Sequence, residues 1–336
     1  MHDNFKVDVR ALSKPRQPGI SAYMRIKNEQ QLVRVAILSH IEHYDEIIAC
    51  YNDCTDNTVA VLTELARQYP RKLKVHHYQP KVHPLGSREY EKLPDDSVHG
   101  LANYYNYALS KTTRRMAVKL DADHLAISHK LTPLLDTIRR DMAAGKRKIY
   151  MFSGINLLRD KRSVIGVTEN NPFSGINDIN YHPVNEHAVY RNSQRKDSFN
   201  KTYRRSLETE YMGIMYFHLK GLKSGICAPE FPAENFSSRD GKPFEETKIV
   251  SFEEFCSAQC HQRLRRQLNP YHRLFSVLYA GERMREWKYR LTGAPPRLAQ
   301  VRLARLAKDL DGIDFKRDVL DPLDAWEFNP DALHAK

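Results

Sequence analysis

The order of apolar and polar positions divides the first third of the chain into alternating short elements. Ile20 to Arg25 predicts a strand, entered through the Pro/Gly-marked stretch Pro15 to Gly19. Asn28 to His43 has apolar residues at helical spacing, and Asn28 reads as its N-cap. Asp45 to Cys50 predicts a buried strand, followed by a polar turn, Tyr51 to Asp56. Asn57 to Gln68 returns to helical spacing and stops before Pro70. Lys72 to His77 predicts a third strand, and a polar loop, Gln79 to Val98, follows. Gly100 to Lys111 predicts a helix, then Met116 to Leu120 a strand that ends in Asp121-Ala122-Asp123-His124. Regular alternation of this kind predicts an α/β fold, a mostly parallel, Rossmann-like sheet with flanking helices. Ligands of such sheets sit at the carboxyl ends of the strands, where Tyr51–Asp56 and Asp121–His124 fall.

Beyond Lys130 one more helix runs to about Ala144, followed by a basic turn, Gly145 to Lys148. The next section is strand-rich and contains an internal echo, Phe-Ser-Gly-Ile-Asn at 152–156 and again at 173–177. Two copies do not make a solenoid; they read as two hairpin edges with similar turns, or as chance. From Phe252 the pattern is helical, with breaks at Asn269-Pro270 and Gly293 to Pro296, and the chain ends in an acidic tail. The expected organisation is one α/β domain over 1–250 and a helical C-terminal extension over 251–336. In the first, about 18–130 forms a nucleotide half and about 145–250 an acceptor half.

Charge changes this picture locally. The 336 residues carry a formal net charge of +12. From His261 to Lys308 there are twelve Lys/Arg and two acids, and from Asp309 to Lys336 eight acids and three bases. Much of the basicity therefore sits near the C-terminus, as a solvated helical face or as a contact with an anionic partner. The expectation is a peripheral contact with an anionic membrane surface, at the inner face of the cytoplasmic membrane. No apolar run approaches membrane-spanning length, and the start of the chain has no apolar signal-peptide core, so a cytoplasmic protein is expected. Five cysteines fit a reduced compartment, and neither Cys50-x3-Cys54 nor Cys256-x3-Cys260-His261 has zinc-site spacing.

The chemistry is concentrated at strand ends. Asp121-x-Asp123 closes an apolar strand, where two carboxylates can share a hard divalent cation, Mn²⁺ or Mg²⁺, that neutralises a diphosphate. An isolated Asp-x-Asp is common in surface turns; its place at the fourth strand gives it weight. Asn52-Asp53-Cys54-Thr55-Asp56-Asn57-Thr58 brings short polar side chains into a loop that opens a helix, suited to a nucleotide or to plain capping. Neither a Gly-x-Gly-x-x-Gly after the first strand nor a Walker loop is present.

Taken in order, Lys27-Asn28-Glu29-Gln30, Asp45 to Thr58, Asn103 or Asn106 on the Gly100–Leu109 helix, and Leu120-Asp121-Ala122-Asp123 resemble glycosyltransferase family 2 and its GT-A-fold relatives. The resemblance covers about the first 130 residues. It departs from the family where Tyr51 stands for the strand-end Asp and Asp53-Cys54 for Gly-Ser. It implies a nucleotide-diphosphate sugar donor, a UDP-sugar foremost, and a glycan or lipid-linked acceptor in surface polysaccharide or lipopolysaccharide synthesis, with inversion. It implies donor binding by Asn28, Glu29, Tyr51, Asn52, Asp53, Asp56 and Asp121, and metal binding by Asp121 and Asp123. His218, after a long apolar run, is a third metal-ligand candidate, against the reading of a core histidine bonded to a backbone carbonyl. Lys220 and Lys223 follow it and could meet a diphosphate. An inverting enzyme needs a general base. Asp178, Glu208 and Glu210 are the candidates, Asp178 favoured because a turn at a strand edge can face the acceptor.

Two other classes compete. A haloacid-type phosphatase or a nucleotidyltransferase could also use Asp-x-Asp, but the phosphatase nucleophile ends the first strand of its domain rather than the fourth. A nucleic-acid-binding protein is suggested by net charge alone, and with no recognition motif behind it nucleic acid is not an expected partner.

Overall fold

The computed structural model describes residues 3–159, 164–168, 172–175, 179–193, 196–223, 249–258 and 309–328. The predicted alternation is present as β1 (Gln17–Ile26), α1 (Val33–His40), β2 (Glu46–Tyr51), α2 (Thr58–Gln68), β3 (Leu73–His77), a short α3 (Arg88–Glu91), α4 (Leu101–Ser110) and β4 (Arg114–Lys119). Then come β5 (His124–Ala126), α5 (Ser128–Ala143), β6 (Lys148–Arg159), β7 (Ile165–Thr168), β8 (Phe173–Ser174) and β9 (Asn180–Pro183). After the hairpin of β10 (Tyr190–Ser193) and β11 (Lys196–Phe199) follow α6 (Lys201–Arg205), β12 (Glu208–Gly221), β13 (Ile249–Val250) and, among the described residues, α7 (Asp321–Ala325).

Strands β3, β2, β1 and β4 lie side by side in that order and run parallel. β9 joins β4 to β6, antiparallel to both, and β6 pairs in parallel with β12. The sheet is therefore parallel in its first half and mixed in its second. The order reverses at β1, which places a crevice at the carboxyl ends of β1, β2 and β4. β5 pairs antiparallel with the far end of β12, Phe217 opposite Leu125 and His218 opposite His124. That pairing carries His218 to the segment that follows β4.

Apolar residues bury against both faces of the sheet. On one face α1, α2 and α5 pack Val33, Ile37, Leu62, Leu65, Leu131 and Ile138 on strand residues such as Ile20, Met24 and Ile47. On the other, α4 packs Tyr104, Tyr107 and Leu109 against Tyr23, Ile48 and Tyr78. The acidic C-terminal segment is part of the structure, since Leu310, Val319 and Leu323 join the cluster built on β6 and β12. Each fully buried large aliphatic or aromatic side chain contributes about 1.5–3 kcal/mol.

The helix expected from Asn28 begins only at Val33, with Leu32 at its N-cap. Asn28 instead takes a left-handed backbone (φ +53°), and its side chain bonds across to the loop after β2. The polar loop 79–98 contains α3, capped by Ser87, whose hydroxyl accepts from the Tyr90 amide. The basic stretch 261–308 lies outside the described residues, as do Cys227, Cys260 and the candidate base Asp178. No helix among the described residues is long and apolar enough to cross a membrane.

Candidate active site

Two loops at the carboxyl ends of β1 and β2 are laced together by side chains. The Thr55 amide donates to Asn28 Oδ1 at 2.8 Å, and the Glu29 amide to Thr58 Oγ1 at 2.7 Å. The Gln30 amide donates to Asp56 Oδ2 at 3.1 Å, and Asp56 Oδ1 accepts from both the amide and the hydroxyl of Thr58. Backbone donors left open after β1 are thus satisfied from the opposite loop rather than by a local cap. Asp53, also left-handed (φ +45°), pairs with Lys27 at 2.9 Å. Asn52 is buried; its amide donates to the carbonyls of Tyr78 and Pro80, and Oδ1 has no hydrogen-bond partner among the described residues. Tyr51 stacks on His77 with ring centroids 4.6 Å apart. The donor-site candidates therefore share one strand-end region, with Asp56 and Asn28 committed to holding it together. On α4, Asn106 pairs with the backbone of Tyr190, and Asn103 donates to Phe5 O and to the Tyr78 hydroxyl.

The charged centre lies beside that region. Asp123 Oδ2 is 3.5 Å from His218 Nε2 and 3.5 Å from Lys223 Nζ. Lys223 also grips Glu29, with its ammonium 2.6 Å from Oε2. Asp121 Oδ2 is 3.2 Å from Lys119 Nζ and 3.8 Å from His124 Nε2. Asp123, His124 and His218 each offer one ligand atom, all within 4.8 Å of one another. The grouping differs from the expected one. His124 joins Asp123 and His218, whereas Asp121 stands beside the cluster against Lys119. The signal for His124 was its position directly after Asp-x-Asp, but only its pairing across β5 to His218 shows that it turns inward.

The protonation states suit a cation. Burial would raise the Asp123 carboxyl, but His218 and Lys223 hold it well below the usual carboxylate range. Burial acts the same way on Asp121, and Lys119 and His124 overcome it, so its pKa is lowered. Burial drives His124 down to about 4 against the pull of Asp121 and Asp123, so its ring is a neutral ligand at pH 7. Burial pushes the Glu29 carboxyl up to about 7, with Lys223 opposing. His218 Nδ1 lies 2.8 Å from Asn156 Oδ1. The amide oxygen can only accept, so Nδ1 donates to it, which leaves Nε2 as the ring atom facing Asp123.

The sequence echo builds the wall behind His124. Its two copies pair antiparallel, Gly154 opposite Ser174 and Ile155 opposite Phe173. A Cβ on Gly154 would lie 2.3 Å from the Tyr216 ring, and one on Gly175 (φ +77°) 2.3 Å from its hydroxyl oxygen. Tyr216 fills that space, bonds Ser174 Oγ at 3.0 Å and stacks on His124 with centroids 3.9 Å apart.

Glu208 and Glu210 are elsewhere. They open β12 and pair with Lys148 at 2.9 and 3.4 Å. His218 lies near the far end of the same strand, roughly 25–30 Å away at strand rise. Neither carboxylate meets the cluster, because an apolar run in sequence does not tell which of its ends reaches the site.

A family model described as beta-1,4-N-acetylgalactosaminyltransferase (CgtA) matches residues 3–173, half of the chain. The chain belongs to this family. The CgtA match spans the laced loops, Asp-x-Asp, His124 and the first Phe-Ser-Gly copy, and ends at Phe173, the first residue of the second. No curated protein matches it. Among solved structures, TarS 1–349 from S. aureus is similar over 60% of this chain and 61% of that one, at 11% identity and a TM-score of 0.38. The same protein in complex with UDP is similar over 80% and 77%, at 12% and 0.35. Glucosyl-3-phosphoglycerate synthase from Mycobacterium tuberculosis, in complex with Mg²⁺ and UDP, is similar over 44% and 47%, at 16% and 0.26. The chain spans about six-tenths of the TarS 1–349 length in the first of these. Likeness this weak adds nothing on chemistry to the CgtA match.

Proposed function

We propose that this CgtA-family chain transfers a sugar from a nucleoside diphosphate donor, a UDP-sugar foremost, to a hydroxyl of a glycan or lipid-linked acceptor, with a divalent cation and with inversion. The observation that carries the reading is the meeting of Asp123, His124 and His218 at the carboxyl end of β4, beside the laced loops of β1 and β2. The family description names N-acetylgalactosamine as the sugar, which makes the UDP form of that sugar the first donor to try. Surface polysaccharide or lipopolysaccharide synthesis is the pathway that fits such an acceptor.

The ligand set fits a cation. It offers one ionised carboxylate and two imidazoles, His124 neutral by burial and His218 with Nε2 facing Asp123. Mixed nitrogen and oxygen donors favour Mn²⁺ over Mg²⁺, which prefers oxygen alone. Bound there, the cation would neutralise charge on the diphosphate leaving group. The chain's own residues do the rest. Asp121 and the laced loops orient the donor, and Lys119, Lys220 and Lys223 line the same corner with positive charge. The Lys223 ammonium, shared in the free chain between Glu29 and Asp123, can turn to a phosphate oxygen when a donor binds. Asp178 is the proposed general base, taking the acceptor hydroxyl's proton as that oxygen attacks the anomeric carbon. Gly175, three residues before Asp178 in the sequence, abuts Tyr216, which stacks on His124.

The test is to incubate the chain with Mn²⁺ and a panel of nucleotide sugars, following nucleoside diphosphate release and the anomeric configuration of the product by NMR. Selective consumption of one sugar nucleotide with an inverted product is expected. Release of inorganic phosphate from simple phosphate esters, with no sugar nucleotide consumed, would support the phosphatase reading instead.

A further inference from the structure

A cavity of about 280 Å³ opens at the amino ends of the strands, away from the charged centre. Among the described residues five cations line it: Lys14, Arg16, Arg115, Lys146 and Arg147. They arrive from three places, the entry to β1, the start of β4 and the turn between α5 and β6. Among the described residues, no carboxylate lines the cavity. The acid that partners one of these cations, Asp141, pairs with Lys146 at 2.9 Å and accepts from the Tyr150 hydroxyl at 2.8 Å.

Arg16 is half-buried and held in place. Its Nε donates to Arg114 O at 2.9 Å, and Nη2 donates to the carbonyl and hydroxyl of Thr112. Its Nη1 has no hydrogen-bond partner among the described residues. Arg115 is anchored through Nε to Arg16 O at 3.3 Å, which leaves both of its terminal nitrogens to point elsewhere. Two guanidinium groups fixed by their backbone contacts, with donors to spare and further cations beside them, make a preorganised donor set for a tetrahedral dianion.

We propose that this cavity binds a phosphate ester, either free or as the headgroup of an anionic lipid. Its volume lies just below the span of ligand pockets, about 300–1,000 Å³, so it suits a phosphate group with a short stub rather than a nucleotide sugar. Met116, Met142 and Pro183 provide an apolar surface for the carbon side of an ester. The site is distinct from the donor site, because β1 alone, Gln17 to Ile26, separates the two ends of the sheet by roughly 30 Å.

The experiment uses the full chain, free of divalent metal, and the exposed pair Lys14→Glu/Arg115→Glu, with Lys14→Gln/Arg115→Gln as a milder second variant. Calorimetric titration with inorganic phosphate and co-sedimentation with phosphatidylcholine vesicles, with and without phosphatidylglycerol, are measured on each. The wild-type chain is expected to bind at least one anionic probe, and each variant to bind it roughly tenfold more weakly or worse. Loss confined to inorganic phosphate identifies a free ester, and loss confined to anionic vesicles identifies a headgroup. Metal-dependent donor turnover should be unchanged in either variant. Equal binding by wild type and variants, or no binding by the wild type, overturns the proposal.

Discussion

The ring of Tyr216 lies flat on His124, centroids 3.9 Å apart, in a slot that Gly154 and Gly175 leave open for it. A side chain on β12 thereby fixes the imidazole of a residue on β5. Gly154→Ala would push a methyl into the Tyr216 ring. Overpacking of this kind costs about 1–3 kcal/mol. Urea unfolding should show that loss, and Mn²⁺ titration of the folded variant should show weaker binding, since His124 follows Tyr216. Tyr216→Phe keeps the ring and loses the Ser174 bond, so about 1 kcal/mol and little metal affinity should go with it.

Asn156 fixes the other imidazole. Asn156→Ala removes the acceptor for His218 Nδ1–H and frees the ring to rotate or change tautomer. Loss of such a supporting contact typically lowers metal affinity 10–100-fold. Calorimetric Mn²⁺ binding should fall in that range while the urea midpoint changes little.

Much of the fold was legible because a strand or helix with one buried face writes its period into the chain. The order from β1 to β4 follows from that alternation alone. β5 was not legible: His124-Leu125-Ala126 is too short to carry a period, and it is a strand only because β12 pairs with it. The same gap hid His124 from the sequence reading. Asn28 looked like a cap because Asn before an apolar helix usually is one, yet its side chain bonds to Thr55 across the crevice. Glu208 and Glu210 sat at a plausible distance in sequence, and strand direction, a tertiary property, placed them at Lys148. The Phe-Ser-Gly echo was visible, while its use, two glycines around one tyrosine, depends on residue 216.

Asp56 accepts from the Gln30 amide and from the Thr58 amide and hydroxyl, joining the two donor-side loops. Asp56→Ala leaves these donors to water or unpaired. A fall of about 1–2 kcal/mol in unfolding free energy is expected. A raised KM for the sugar nucleotide, with kcat less affected, should accompany it.

Stability should fall in mild acid through histidines kept neutral by burial. Burial drives His40 down to about 3, and its Nδ1–H donates to Ala36 O at 2.8 Å. Burial also takes His182 down to about 4. The unfolded chain protonates these rings near pH 6.5, well above the folded chain, so it gains protons first as pH falls. Stability is thus full above about pH 6.5 and declines toward pH 4, by on the order of 3 kcal/mol per histidine at most. Urea midpoints from about pH 7.5 down to about pH 4.5, a window set by these pKa values, should show that slope. His40→Gln should flatten it.

The most direct measurement is sugar-nucleotide turnover by the metal-stripped chain before and after Mn²⁺ is restored, compared with Asp123→Asn treated identically. Asp123 holds its charge between His218 and Lys223, so the account predicts little turnover without metal and recovery on Mn²⁺ addition for the wild type. Asp123→Asn should recover roughly 10²-fold less or lower still. Equal turnover by wild type and Asp123→Asn, or full activity in the stripped chain, would contradict it.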